Sequence, residues 1–145
     1  LAGLRRLEYR GYDSAGVALV PGGGQISIVR RPGKVSALAE AAADPAVAPA
    51  SPTGVGHTRW ATHGPPSEAN AHPHRDCRGE IAVVHNGIIE NHTALRRVLE
   101  DGGHTFTSQT DTEVLAHLIE RFYDKGVPLE DAVSDALREV SGAYG

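Results

Sequence analysis

The chain has 145 residues, which suffices for one domain with its own core, and it carries a formal net charge of −4. This balance argues against nucleic-acid binding, and no apolar run has the length of a membrane span or a signal peptide. The single cysteine excludes an intramolecular disulfide, so we expect a reducing, cytoplasmic environment. Because the chain begins at Leu1 and contains no Met, we expect that its natural start is missing.

The first predicted elements are a helix and a β-hairpin. Leucine recurs at every third position through residue 7, which is typical of an amphipathic helix, and Gly11 would end it. Residues 15–20 form an apolar run, and residues 25–30 alternate between polar and apolar side chains. A glycine-rich turn at residues 21–24 would join the two strands into a hairpin.

The middle of the chain is predicted to contain one helix, two strands and two loops. Residues 34–43 are rich in alanine with apolar side chains at helical spacing, and the proline-containing residues 44–53 predict a surface loop. Residues 54–57 predict a short buried strand. An irregular loop is expected over residues 65–79, followed by a strand over residues 80–84.

A second hairpin is predicted around Asn86-Gly87. This dipeptide separates the strand at 80–84 from the apolar residues 88–89. Asn-Gly favours a type I′ turn, which requires positive φ at both central residues. The pattern therefore predicts that the strands on either side of Asn86-Gly87 pair with each other.

Three helices are predicted in the remaining sequence. Asn91 is expected to cap the first of them, which would end at the glycine pair 102–103. Thr110 and Glu113 match the capping-box pattern and would open the second helix. The third covers residues 129–140. Amphipathic helices mixed with short antiparallel strands predict an α+β fold.

A candidate anion-binding group follows the strand predicted at residues 54–57. The guanidinium of Arg59 can bind a carboxylate through two parallel hydrogen bonds, and Trp60 beside it offers an aromatic face. The alternative is a surface arginine that stacks on Trp60 as an ordinary cation–π pair. The residues by themselves leave both interpretations open.

Further candidate groups are Asn86, Gly87 and Asp111. Asn86 and Gly87 could present a side-chain N–H and a backbone N–H to a developing oxyanion. Asp111, in the predicted first turn of a helix, could bind an ammonium group in its ionised form. The alternatives are structural: a turn for Asn86 and Gly87, and a helix-dipole partner for Asp111.

The histidines suggest a metal site, because seven of the eight lie between His57 and His104. His72-x-His74 has the spacing of metal ligands, but a third ligand is not evident, and Cys77 lacks a CxxC companion. Histidines bonded to backbone or solvent, and an incidental thiol at Cys77, are therefore favoured. We expect no metal and no cofactor.

Five segments follow one another in a characteristic order. They are Leu4-Arg5-Arg6-Leu7-Glu8-Tyr9-Arg10-Gly11-Tyr12-Asp13-Ser14-Ala15-Gly16, His57-Thr58-Arg59-Trp60-Ala61-Thr62-His63-Gly64, Asn70-Ala71-His72-Pro73-His74, His85-Asn86-Gly87-Ile88-Ile89-Glu90-Asn91 and Thr110-Asp111-Thr112-Glu113. This order closely resembles the glutaminase domain of the glutamine–fructose-6-phosphate aminotransferase family, a class II glutamine amidotransferase domain. The first two segments distinguish it from the related amidophosphoribosyltransferases.

The resemblance implies an N-terminal-nucleophile hydrolase fold, a four-layer αββα sandwich with antiparallel sheets that is incomplete at both ends here. Residues 1–145 would form part of the glutaminase domain. The nucleophilic N-terminal cysteine and its strand would lie upstream, and a sugar-isomerase domain downstream. Cys77 carries no free α-amine and cannot replace that nucleophile, so we expect this chain to be inactive by itself.

The resemblance also implies roles for individual residues. Arg59 would bind the α-carboxylate of glutamine and Asp111 its α-ammonium group. The side chains that would shape the glutamine pocket are Trp60, Thr62 and His63. Asn86 and Gly87 would form the oxyanion hole, and Arg10 would lie near the nucleophile.

The implied activity is hydrolysis of glutamine to glutamate and ammonia, with amination of fructose 6-phosphate to glucosamine 6-phosphate in hexosamine biosynthesis. The implied partners are L-glutamine, fructose 6-phosphate bound by the absent isomerase domain, and a second copy in a full-length homodimer. Two alternatives remain open. One is a non-catalytic glutamine-binding or regulatory module, and the other is a histidine-ligated metal protein.

Overall fold

The computed structural model describes residues 1–22 and 25–145, and these residues form two compact units. The N-terminal unit is Leu1–Pro73 and the C-terminal unit is His74–Gly145. Each unit has its own apolar core, and its strands pair antiparallel, so the predicted α+β class is confirmed. Among the described residues, the helices are too short or too polar to cross a bilayer.

The N-terminal unit is built on a three-stranded antiparallel sheet. Its central strand β1 (Ser14–Val20) pairs with β2 (Ser27–Pro32) on one side and with β3 (Thr53–Arg59) on the other. Its helices are α1 (Ala2–Leu7), which continues as a 3₁₀ turn at Glu8–Arg10, and α2 (Val35–Ala41). Gly11 ends the 3₁₀ turn with a φ of 78°, which favours glycine.

The predicted first helix, first hairpin and second helix are confirmed, since their apolar side chains meet in one core. Leu4 from α1, Ala15 from β1 and Val29 from β2 pack with Val35 and Leu38 from α2. Side chains alternate between the two faces of a strand and recur at helical spacing in α2, which brings these apolar side chains together. Of the predicted turn at 21–24, Gly23 and Gly24 lie outside the described residues.

The prediction of a buried strand at residues 54–57 is wrong in its burial. The strand itself forms as part of β3, but Gly54, Val55 and Gly56 are exposed. Glycines add no side chain that neighbouring elements could cover. The apolar composition of residues 54–57 therefore predicted burial, but most of this segment is exposed in the sheet.

The segment at 65–79 is largely irregular, as predicted, but its centre is buried. Its first part belongs to the N-terminal unit, where Nη1 of Arg30 lies 3.3 Å from the carbonyl oxygens of Ala69, Ala71 and Pro73. These contacts satisfy backbone groups that would otherwise be buried without partners. Only glycine fits at Gly16 of β1, because a Cβ there would overlap the carbonyl oxygen of His72.

The C-terminal unit combines three helices with two strand pairs. Its strands pair as β4 (His74–Arg75) with β5 (Ala82–Val83) and as β6 (Gly87–Ile89) with β7 (Gly142–Tyr144). Its helices are α3 (His92–Asp101), α4 (Glu113–Tyr123) and α5 (Leu129–Glu139). Helix α4 packs against α3 and α5, and its first eight residues are all buried. The core comprises Ile81, Leu99, Val114, Leu118, Ile119, Ala132 and Ala136.

The predicted second hairpin is wrong. Strand β6 pairs with β7 rather than with the strand before it, and the strand predicted at 80–84 shortens to β5. Gly87 has a φ of 132°, but Asn86 does not have the positive φ that a type I′ turn requires. Asn86 instead exchanges two backbone hydrogen bonds with Gly145, at 2.9 and 2.8 Å. Pairing with a strand more than fifty residues away therefore replaces the local turn.

The predicted Asn91 cap is also wrong. Asn91 stands directly before α3, but its side chain makes no capping bond to that helix. Its amide group donates to the carbonyl of Glu139 at 2.8 Å, and its Oδ1 accepts the N–H of Ser141 at 2.9 Å. Asn91 therefore connects the start of α3 to the last residue of α5 and to Ser141, which precedes β7.

The capping box predicted at Thr110 and Glu113 does not form. Helix α4 begins at Glu113, and Thr110 Oγ1 lies 3.0 Å from Nε2 of His74. The Glu113 carboxylate instead accepts the backbone N–H and hydroxyl groups of Thr107 and Ser108, at 2.6 to 2.8 Å. Burial by itself raises the pKa of Glu113, but hydrogen bonds from His117, Ser108 and Thr107 outweigh it and hold this pKa far below 4.5.

Candidate functional site

In the N-terminal unit, the guanidinium of Arg59 stands at the end of β3. Arg59 is 3% exposed, and its Nη1 lies 3.2 Å from Oδ1 of Asp13. Its Nη2 donates to the carbonyl oxygens of His63 and Gly64, the latter at 3.1 Å. These bonds tie the loop at residues 60–64 to the end of β3.

Asp13 completes this arrangement from the residue before β1. Its backbone N–H donates to the carbonyl of Arg59 at 2.8 Å, its Oδ2 accepts the N–H of Ala61, and its Oδ1 accepts the Ser14 hydroxyl at 2.9 Å. The register of β1 and β3 places Ser14 opposite Arg59, which brings the two charges together. A ligand carboxylate that binds Arg59 would therefore either share the guanidinium with the Asp13 carboxylate or displace that carboxylate.

The other predicted residues of this unit lie in two adjoining surface segments. The indole ring of Trp60, which is 69% exposed, covers Gly11, where a Cβ would overlap the ring. Thr62 is exposed and His63 is half-buried in the loop after Trp60, while Arg10 is exposed directly before Gly11. The structure thus brings Trp60 to the turn that contains Arg10.

In the C-terminal unit, strand β6 points alternate backbone groups toward β7 and away from it. Asn86 and Glu90 donate their N–H groups to carbonyl oxygens on the β7 side, both at 2.9 Å. Because this direction alternates along an antiparallel ladder, the N–H groups of Gly87 and Ile89 point to the opposite edge. Gly87 must be glycine, since a Cβ there would overlap the carbonyl of Ala143.

Asp111 lies against this second edge of β6. It is 3% exposed, and its Oδ2 accepts the N–H of Ile89 at 2.8 Å. Asp111 precedes α4 by two residues, so it lies just outside the helical turn in which it was predicted. Gly87 and Ile89 are two residues apart, so their N–H groups are separated by about 6.6 Å. A backbone donor and a carboxylate thus lie along one strand edge.

His85 directly precedes Asn86, Thr112 directly follows Asp111, and the two side chains contact each other. Nδ1 of His85 lies 2.9 Å from the Thr112 hydroxyl, and both side chains are buried. Burial lowers the pKa of His85 below 6.5, and the nearby Asp111 carboxylate opposes this only in part. This buried contact fixes the start of β6 relative to the segment that carries Asp111.

The histidines that suggested a metal site have different partners. The His57 and His72 rings stack in the N-terminal unit with centroids 4.4 Å apart, whereas His74 contacts Thr110 in the C-terminal unit. Cys77 lies beside two other histidines, at positions 104 and 117. The structure therefore groups Cys77 with residues that sequence spacing had not connected to it.

Sequence reasoning assigned no role to Asp13 and did not anticipate the bond between Ile89 and Asp111. A signal for Asp13 was present, because a charged residue directly precedes a buried strand in a segment that carries the resemblance. The Ile89 bond had no local signal, since it depends on which edge of β6 faces β7. Arg59 in the N-terminal unit and Asp111 in the C-terminal unit are buried charged groups, and neither is a nucleophile.

Comparison with known proteins adds a family and several relatives. A profile of the glutamine amidotransferase domain matches residues 39–130. The chain is 58% identical over 143 residues to the isomerizing glutamine–fructose-6-phosphate aminotransferase of Vibrio cholerae serotype O1, and 56% identical over 145 residues to that of Salmonella typhi. These alignments cover 99% and 100% of this chain, but the chain spans only 23% of the length of each relative.

Two solved structures are similar over 98% of this chain and 30% of their own chains. One is a glutamine phosphoribosylpyrophosphate amidotransferase from B. subtilis, with a TM-score of 0.77 and 30% identity. The other is described as the allosteric regulatory enzyme of purine biosynthesis, with a TM-score of 0.78 and 31% identity. These neighbours are glutamine amidotransferases of the N-terminal-nucleophile hydrolase type, which confirms the predicted type of fold.

Proposed function

The chain belongs to the glutamine amidotransferase domain family, and we propose that it is the glutaminase part of a glutamine–fructose-6-phosphate aminotransferase. Ammonia released from glutamine would aminate fructose 6-phosphate to glucosamine 6-phosphate in a longer protein. The identity of 55–58% to relatives of that name supports this substrate pair. A homodimeric full-length protein and a cytoplasmic location belong to the same proposal and rest on the resemblance.

The observation that carries the proposal is the edge of β6 that faces away from β7. In extended glutamine, the α-nitrogen and the side-chain amide carbon are about 5 Å apart. Asp111 contacts this edge at the Ile89 N–H, two residues along the strand from Gly87. Asp111 would bind the α-ammonium group, while the Gly87 N–H and the side chain of Asn86 would donate to the oxyanion.

The resemblance assigns further contacts with glutamine to residues of the N-terminal unit. Arg59 would bind the α-carboxylate, with Trp60, Thr62 and His63 forming the walls of the pocket. The bonds of Arg59 to Asp13 and to two carbonyls engage three of its five N–H donors among the described residues. Arg59 would therefore keep its place in the structure while its other donors bind the ligand.

The nucleophile would be an N-terminal cysteine outside this sequence, close to Arg10. Its α-amine, with an ordinary pKa of about 7.7–8.0, would take the thiol proton. The sulfur would attack the amide carbon, ammonia would leave with that proton, and water would hydrolyse the thioester to glutamate. Cys77 has no free α-amine, so we expect the 145-residue chain to release no glutamate from glutamine.

Substituting Asp111 in the longer protein that contains this chain tests the proposal. Asp111→Asn retains an acceptor for the Ile89 N–H but removes the charge. We expect the KM for glutamine to rise about 10- to 100-fold, as for loss of a charge-assisted hydrogen bond. The matched control is Asp101→Asn, at the exposed end of α3, which we expect to leave kinetics unchanged.

A second substrate makes this test specific to the ammonium group. The glutamine analogue that lacks the α-amine should be hydrolysed poorly by the unsubstituted protein. Asp111→Asn should cause little further loss with this analogue. Equal losses with glutamine and the analogue would contradict the assigned role of Asp111 and remove the main support for the proposal.

A further inference from the structure

Four side chains with metal-binding atoms converge in the C-terminal unit. Cys77 lies in the turn between β4 and β5, and His104 lies in the segment between α3 and α4. His117 and Glu120 lie one turn apart on α4. One ligand atom from each residue lies within 4.8 Å of the other three.

The separations of these atoms are close to those around a tetrahedral zinc ion, except that one nitrogen-to-oxygen distance is shorter. Sγ of Cys77 lies 3.7 Å from Nδ1 of His104 and 3.5 Å from Nδ1 of His117. Oε2 of Glu120 lies 2.9 and 3.3 Å from the same two nitrogens. Ordinary zinc bond lengths at tetrahedral angles give about 3.6 Å for sulfur to nitrogen and about 3.3 Å for nitrogen to oxygen.

His117 also shows why a cation fits this position. Its Nδ1 faces Glu120, and its Nε2 lies 3.8 Å from Oε1 of Glu113, while the ring is 1% exposed. A neutral imidazole carries one proton, so one of its nitrogens turns a lone pair toward a carboxylate. A cation at Nδ1 removes this conflict, because Nε2 then keeps its proton and faces Glu113. Metal-bound histidines commonly orient toward an outer carboxylate in this way.

The two carboxylate oxygens of Glu120 have different neighbours, and one of them faces His104 and His117. Arg78 lies 4.0 Å from Oε1 of Glu120 and also pairs with Asp124 and Glu80, whereas Oε2 faces the two imidazoles and Cys77. Burial raises the pKa of Glu120, but hydrogen bonds from the Cys77 N–H, His117 and His104 outweigh it and lower this pKa. The geometry thus directs Oε2 of Glu120 to the two imidazole nitrogens that lie beside the Cys77 sulfur.

The same surroundings argue against a nucleophilic cysteine. Burial raises the pKa of the Cys77 thiol, and the nearby Glu120 carboxylate raises it further. A reactive cysteine needs the opposite shift, because the thiolate is the nucleophile. A bound cation would supply the missing positive charge and displace the thiol proton.

We propose that Cys77, His104, His117 and Glu120 bind one zinc-class divalent cation in a closed, structural site. A thiolate with two imidazoles selects zinc over magnesium or calcium, which prefer oxygen ligands. Four protein ligands complete a tetrahedral shell, as in structural rather than catalytic zinc sites. The cation would link the β4–β5 turn, the α3–α4 segment and α4, and it would stabilise the folded unit by binding.

Metal titration of the purified chain tests the site without any use of glutamine. After treatment with a chelator, the protein should bind one equivalent of zinc in competition with a chromophoric chelator, and excess magnesium should not displace it. Cobalt(II) should give the intense visible bands of tetrahedral coordination and a thiolate-to-cobalt charge-transfer band. Zinc should also raise the midpoint of thermal unfolding.

Substitutions identify the ligands. Cys77→Ser and His104→Gln should each weaken zinc binding by at least about 100-fold. Loss of a residue that only hydrogen-bonds to a ligand costs up to about 100-fold, and loss of a ligand itself should cost at least as much. Cys77→Ser should also abolish the charge-transfer band. The matched control is His92→Gln at the start of α3, where Nδ1 contacts a backbone carbonyl, and it should bind zinc normally.

Three results would overturn the proposal. They are absence of one-to-one zinc binding in the unsubstituted chain, a cobalt spectrum without a thiolate band, and equal loss of binding in His92→Gln. The first two use the unsubstituted chain, so they decide the matter even if Cys77→Ser fails to fold. They would leave a metal-free cluster in which these side chains contact one another directly.

Discussion

The two units present their candidate binding groups in different ways. In the N-terminal unit, the charge of Arg59 is buried and already paired with Asp13, and it also holds the loop that follows β3. In the C-terminal unit, the Gly87 N–H stands on a strand edge, two residues from the Ile89 N–H that Asp111 accepts. Substitution in the first unit should therefore affect folding before function, whereas substitution at β6 should affect the reaction with less cost to stability.

The largest effect that this comparison predicts is on stability, for Arg59→Ala. Removing one partner of a buried ion pair leaves the Asp13 charge uncompensated, which costs about 3–5 kcal/mol in the free energy of unfolding. The matched control is Arg31→Ala, because Arg31 pairs with Glu68 at the surface and its loss should cost less than about 1 kcal/mol. Urea denaturation measures both. Equal losses for the two variants would mean that the Arg59–Asp13 pair is not structural.

The next effect should appear in kinetics. In the longer protein, Asn86→Ala should lower kcat by roughly 10²–10³, because the oxyanion exists only at the tetrahedral stage, and KM should change little. Arg59→Lys, which keeps the charge but not the fork, should mainly raise KM. Thr93→Ala, exposed on α3, serves as the control. A pure kcat effect for Arg59→Lys would reverse the two roles.

These expectations show how far the sequence predicts the structure. Helices α1, α2 and α5 were predictable because their own apolar spacing determines them. The conformation of Asn86-Gly87 was not predictable, because residues 142–145 pair with β6 and this pairing overrides the preference of Asn-Gly for a type I′ turn. The burial of Arg59 depends on Asp13, which lies 46 positions earlier in the chain. The order of the motifs identified the candidate residues. Only the tertiary structure shows which of their polar groups already form hydrogen bonds or ion pairs within the fold.

A smaller effect on stability is expected at the start of α4. Glu113→Gln replaces a carboxylate that accepts four hydrogen bonds, and it should cost about 2–3 kcal/mol at pH 7. The pKa of Glu113 is lowered by folding, so its contribution is present above pH 4.5 and is lost as the pH falls below that value.

Denaturation at several pH values checks this contribution. The difference between the unsubstituted chain and Glu113→Gln should shrink below pH 4.5. Glu100→Gln is the control, since Glu100 forms an exposed i,i+4 pair with Arg96 that contributes about 0.5 kcal/mol at most. A difference that persists unchanged to low pH would show that the Glu113 charge does not stabilise the fold.

The central claim is that the edge of β6 facing away from β7 binds glutamine, and backbone amide NMR tests it most directly. Glutamine added to the isotopically labelled chain should shift the amide resonances of Gly87 and Ile89, with Asp111→Asn weakening the response. Gly102 and Gly103, beyond the end of α3, should not shift. Saturating glutamine that leaves Gly87 and Ile89 unmoved, or that shifts them equally in Asp111→Asn, would contradict the claim.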